Sequence, residues 1–123
     1  MSKYVMLKTN LTERLYLEAG LKDLKCEILK TKKIQTLLNR VFEVDLAVKT
    51  PFGIVGFVLD KDGAYQLTGD DMILKKNTRF IDQVAQRYAY HKVLAEAKKA
   101  GFNLVKETTD DQKSVRLVLR KWN

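Results

Sequence analysis

One cysteine, one proline, one histidine and one tryptophan occur in 123 residues, and these scarcities exclude several classes of protein. A single thiol, Cys26, forms no internal disulfide. That removes the disulfide-stapled secreted scaffolds and makes a reducing, cytoplasmic compartment the expectation. The lone histidine, His91, excludes any metal cluster built on two or more imidazoles. No apolar run approaches the roughly 18 residues needed to span a bilayer. The segment Met1 to Thr9 alternates polar with apolar and lacks the continuous apolar stretch of a signal peptide. Gly53 and Gly56 lack the third glycine and the Lys-Ser/Thr ending of a phosphate loop. What is present is 46% hydrophobic and 31% charged residues, the composition of one compact α+β domain over residues 1–123 that buries a core without staples.

Charge is the first positive signal. Lys and Arg number 23 against 15 Asp and Glu, a net +8, and both ends of the chain carry the surplus while the middle is near neutral. Such a field favours acidic partners, whether an acidic protein, nucleic acid or an anionic membrane surface. A solubilising surface is the plainer alternative.

The pattern of apolar residues predicts the order β-α-β-β-β-β-α-β-β. Lys3 to Lys8 reads as a strand with Tyr4 and Met6 on one side and Val5 and Leu7 on the other. Asn10 and Glu13 have the spacing of a capping box, and Leu11, Leu15, Ala19 and Leu24 recur at helical spacing after it. Cys26 to Leu29 forms a short strand. Lys30 to Arg40, with Ile34, Leu37 and Leu38, fits either a loop or one helical turn. Phe42, Val44, Leu46 and Val48 alternate with Glu43, Asp45, Ala47 and Lys49 as in one half-buried strand. Ile54 to Leu59 and Ala64 to Thr68 follow, joined by Thr50–Gly53 and Asp60–Gly63 turns into an antiparallel meander. Thr78 to Ala100 is a long helix ended by Gly101, and Phe102 to Glu107 with Val115 to Lys121 makes a closing hairpin. The architecture expected is an antiparallel-rich sheet with two main helices on one face.

Few residues suggest catalysis. His91 falls on the apolar stripe of the long helix, and Cys26 lies in an apolar strand, so packing explains both. Asp60-Lys61-Asp62-Gly63 opens like a calcium loop but lacks its later ligands, which favours a hairpin turn. Asp70 and Asp71 read as a polar turn ahead of a carboxylate pair. The residues predict no catalytic set, no cofactor and no metal.

Two basic groups stand out. In the last strand Val115, Leu117 and Leu119 face one way, while Arg116 and Arg120 flank Val118 on the other. Forked guanidinium groups on an open sheet face suit carboxylates or phosphates. Cross-strand pairing with Glu43 or Asp45 is the plainer alternative. Arg116, Arg120 and Lys121 are the candidate partner-binding cations, with Trp122 or Tyr65 as an apolar anchor. Lys30, Lys32, Lys33 and Arg40 are the alternative, a phosphate-binding group that would make the protein a nonspecific nucleic-acid binder. An uncovered edge or face in so small a domain also suits a homodimer.

The stretch Tyr88-Ala89-Tyr90-His91-Lys92-Val93-Leu94-Ala95-Glu96-Ala97-Lys98-Lys99-Ala100-Gly101-Phe102, and then Val115 to Trp122, resembles an uncharacterised family. That family includes the conserved plastid hypothetical reading frame thirty-five and has cyanobacterial, other bacterial and viral relatives. Gly56-Phe57, Asp60, Gly63-Ala64-Tyr65 and Gly69-Asp70-Asp71 resemble its middle strands. The resemblance implies a small α+β protein of the cytoplasm or plastid stroma with no established reaction. It also implies an accessory or adaptor role, with a ferredoxin-like protein or an AAA-type ATPase as the acidic partner.

Overall fold

The computed structural model describes residues 4–37, 39–111 and 114–121; Trp122 lies outside them. The elements run β1 (Tyr4–Lys8), α1 (Arg14–Asp23), β2 (Glu27–Leu29), β3 (Lys33–Gln35), β4 (Val41–Glu43), β5 (Leu46–Thr50), β6 (Gly53–Leu59) and β7 (Tyr65–Asp70). They continue as α2 (Asp71–Lys75), α3 (Phe80–Lys99), β8 (Phe102–Thr109) and β9 (Val115–Lys121). The fold is α+β, and the order follows the one the sequence predicts, with β3 and α2 added and one expected strand divided into β4 and β5. Two compact units divide the chain, Met1–Tyr88 and Ala89–Asn123.

In the first unit five antiparallel strands form one sheet in the order β1-β7-β6-β5-β2. Register places Leu46 beside Phe57, Val48 beside Val55, and Phe57 beside Leu67. These five side chains share one face and are buried, as are Leu17 and Leu21 of α1 and Val84 of α3. Burying each of them contributes on the order of 1.5–3 kcal/mol. The two helices approach closely at Gly20, where a Cβ would lie 3.1 Å from the Tyr88 backbone nitrogen. A glycine that costs about 1 kcal/mol of helix propensity is therefore a packing requirement.

The other face of the sheet is covered by a small β3–β4 ribbon. Its Ile34 and Val44 pack with Ala47, Leu29, Val58 and Tyr4, and Tyr4 stacks on Phe42 with ring centroids 3.6 Å apart. Within the segment expected as a loop or one helical turn, Lys33–Gln35 is instead a strand that pairs with Val41–Glu43. The single strand expected over Phe42 to Lys49 is also broken. The Asp45 carboxylate accepts from the Leu59 amide at 2.7 Å and the Asp45 amide donates to the Phe57 carbonyl at 3.0 Å. At that point the chain passes from ribbon to sheet. Phe42 and Val44 consequently serve one face and Leu46 and Val48 the other, although all four share one alternation.

The capping box expected at Asn10 and Glu13 is not made. Helix α1 begins after Glu13 with no side-chain cap of its own. The Tyr88 hydroxyl of α3 instead holds the two residues just ahead of the helix, accepting from the Thr12 amide at 3.3 Å and the Glu13 amide at 3.0 Å. Tyr88→Phe keeps the ring and strands both donors, so it is expected to cost about 1–2 kcal/mol. A urea titration checks this; an unchanged midpoint would mean that water serves the two amides equally well.

The second unit contains the end of α3 and the β8–β9 hairpin. Gly101 adopts φ 88°, the left-handed conformation that a helix end favours in glycine. Pairing runs from Phe102 opposite Lys121 to Thr109 opposite Val115, with an irregularity between Leu104 and Lys106.

Candidate functional site

The irregularity is a bulge, and it decides the chemistry of the hairpin. Leu104 lies opposite Leu119 and Lys106 opposite Val118, so Val105 is the extra residue. Side chains alternate along a strand, and one inserted residue exchanges the faces beyond it. Lys106 and Thr108 thereby join Arg116, Val118, Arg120 and Asn103 on one face. Glu107, which unbroken alternation would place on that face, moves to the opposite side, where the Tyr90 hydroxyl donates to its carboxylate at 3.0 Å.

The resulting face carries three cations along its paired strands, and its acid is Asp110 at the turn end, where Thr108, Asp110, Ser114 and Arg116 line one cleft. Arg116 and Arg120 are four residues apart, about 13 Å at the usual rise per residue, with Lys106 across from the residue midway between them. All three are exposed, and none makes an ion pair with a described carboxylate. Val118 lies at the centre and is 44% exposed. A surface of this kind accepts carboxylates or phosphates through two guanidinium forks and an ammonium group. Cross-strand pairing of the arginines with Glu43 or Asp45 is not made in this sheet, since among the described residues β9 is paired with β8 alone.

Other residues singled out by sequence lie elsewhere. Lys121 is on the opposite hairpin face, its ammonium group 5.9 Å from the Phe102 ring centroid. Tyr65 is only 6% exposed and sits on the helix-covered side of the main sheet, so its ring offers a partner no anchor. Trp122 is outside the described residues. Lys30, Lys32, Lys33 and Arg40 are all exposed, yet acids interleave with this group. Lys33 pairs in register with Glu43, and a cleft of about 450 Å³ is lined by Lys32, Lys33, Glu43, Val44 and Asp45. The Arg40 guanidinium lies 5.8 Å from the Phe42 ring centroid.

The remaining candidates have structural roles. Asp70 is the N-cap of α2: its carboxylate accepts from the Met72 amide at 2.9 Å and from the Leu37 amide at 3.2 Å. Asp71 is buried and lies 3.6 Å from the Lys75 ammonium group. Both aspartates are buried, which corrects the expectation of a polar turn. Asp60 accepts from the amides of Asp62 and Ala64, as a hairpin turn requires. Burial pushes the Cys26 thiol up in pKa, so the reactive thiolate is disfavoured. Among the described residues no cluster of three or more His, Cys, Asp or Glu is placed to hold a metal ion, and no helix is long and apolar enough to cross a membrane.

Comparison with known proteins adds kinship. Relatives include the "Uncharacterized protein ycf35" of Pyropia yezoensis, 26% identical over 128 aligned residues that cover 100% of this chain and 99% of the relative. That of Cyanophora paradoxa is 28% identical over 127 residues, covering 99% and 98%. That of Guillardia theta is 26% identical over 127 residues, with the same coverage. No solved structure matches the chain. Residues 20–118 fit the family model described as "Protein of unknown function (DUF1257)". Because that span takes in well over half of the chain, from the end of α1 through four strands of the main sheet, α2, α3 and most of the hairpin, the chain belongs to the DUF1257 family.

Proposed function

We propose that this protein is an accessory binding module that docks an acidic protein onto the Lys106, Arg116 and Arg120 face of its C-terminal hairpin. The bulge at Val105 carries the reading, because it gathers a third cation onto the arginine face and removes Glu107 from it. The second unit as a whole has eight Lys and Arg against four Asp and Glu, a net +4 in 35 residues. Such a field accelerates encounter with an acidic surface and sets which partner is accepted. Val118 supplies an apolar centre to the docking face, and Trp122 follows two residues after Arg120 in sequence. A ferredoxin-like protein or an AAA-type ATPase of the cytoplasm or stroma is the partner to try first.

Nucleic acid is the second reading, since the same three cations would accept phosphates. Base stacking favours the protein partner: no aromatic side chain of the described hairpin lies on the cationic face, whereas single-stranded nucleic acids are held on aromatic platforms. Capture with tagged protein at low and moderate salt, with and without nuclease, tests the reading. The expected result is one acidic protein that survives nuclease and is lost with the Arg116→Glu/Arg120→Glu variant. Recovery of nucleic acid alone, with every protein released by nuclease, would replace this function with phosphate binding.

A further inference from the structure

We propose that the open edge of β1 is a self-association surface, along which β1 of a second copy adds antiparallel with Met6 opposite Met6. The main sheet ends in β1 on one side and β2 on the other. The β2 edge has three residues and an exposed Glu27, the short and charged form in which exposed edges are usually protected. The β1 edge has five, and two apolar side chains stand exposed at its middle, Met6 at 49% and Leu7 at 41%.

Beside this edge, on the helix side of the sheet, lies an apolar groove of about 310 Å³. Val5 and Leu7 of β1 form one wall, with Leu67 of β7 behind them and Leu74 and Ile81 from the helical side. A strand added to β1 would send alternate side chains toward this groove while its backbone completes the sheet.

The sequence of β1 makes a second copy the matching occupant. Antiparallel pairing about Met6 sets Val5 opposite Leu7 of the partner copy and Leu7 opposite its Val5. Four apolar side chains then form one row above two grooves, and each copy closes the groove of the other with the residues that line its own. The same patch serves both copies, as a two-fold interface requires. On the reverse side Lys8 meets Tyr4 and not another Lys8, so no like charges are directly opposed.

Light scattering combined with disulfide trapping tests the proposal without touching the hairpin. The wild type is expected to double its 14.2 kDa mass as concentration rises. Leu7→Glu, which puts a carboxylate in the apolar row, is expected to stay at monomer mass with an unchanged circular dichroism spectrum. Oxidation of Met6→Cys should give a covalent dimer. Leu15→Cys on α1 and the wild type with its buried Cys26 should not. A wild type that remains monomeric at its highest soluble concentration overturns the proposal. So does a dimer that survives Leu7→Glu, or one trapped equally well through Leu15→Cys.

Discussion

Phe57→Ala is expected to destabilise the first unit by about 3–5 kcal/mol, the largest effect of any single substitution in the main sheet. Phe57 is fully buried at the middle of β6, with Leu46 on one side and Leu67 on the other in register. Truncation removes a large apolar surface and leaves a void that neighbours from two strands and two helices would have to fill. Domains of this size are typically stable by only about 5–15 kcal/mol, so the variant should have a much lower urea midpoint. A loss under about 1 kcal/mol would mean that the helices do not close on this face as described.

The neighbouring residue fails in the opposite sense. A Cβ on Gly56 would lie 2.5 Å from Val44 Cγ1 and 3.4 Å from Ile34 Cδ1. Val44 is β-branched and stiff, so the clash is relieved by moving the β3–β4 ribbon away from the sheet. Gly56→Val is expected to cost about 1–3 kcal/mol through overpacking and to speed amide exchange in β3 and β4 ahead of β6 and β7. Equal loss of protection throughout the sheet would show that the ribbon and sheet unfold together and that Gly56 matters to both. The two substitutions on successive residues of β6 thus probe the two layers, one by creating a void and the other by filling a contact.

The contrast between these layers also marks what the sequence makes legible. The β6–β7 hairpin, the long helix with Gly101 at its end and the closing hairpin depend on nearby residues, and they form where their patterns predict. Features that depend on distant partners leave no such trace. The strand expected over Phe42 to Lys49 breaks because Asp45 binds the backbone of β6, fourteen residues and one strand away. The start of helix α1 is held by a tyrosine 75 residues further along the chain, which accepts from the Glu13 amide. Tyr65 reads as an available aromatic, although its place beside Leu67 on β7 buries it.

The candidate site was half visible for the same reason. Arg116 and Arg120 share a face by simple alternation, and the sequence shows that. Lys106 joins them only because of the bulge at Val105, which no glycine or proline in β8 announces. Glu107 would have seemed the cross-strand neighbour of these arginines, yet it faces the other way and accepts from Tyr90. The lysines at 30, 32 and 33 look more basic along the chain than the hairpin does. In three dimensions Glu43 and Asp45 stand among them, and the hairpin face becomes the more uniformly positive surface.

Titration of the nitrogen-15 labelled full-length protein with an acidic polypeptide such as oligoglutamate, followed residue by residue in amide spectra, tests this account most directly. The prediction is that shifts concentrate on Asn103, Lys106, Thr108, Arg116, Val118 and Arg120, weaken as salt is added, and vanish in the Arg116→Glu/Arg120→Glu variant. Shifts concentrated instead on Lys30, Lys32, Lys33 and Arg40, or a hairpin that does not respond, would contradict it.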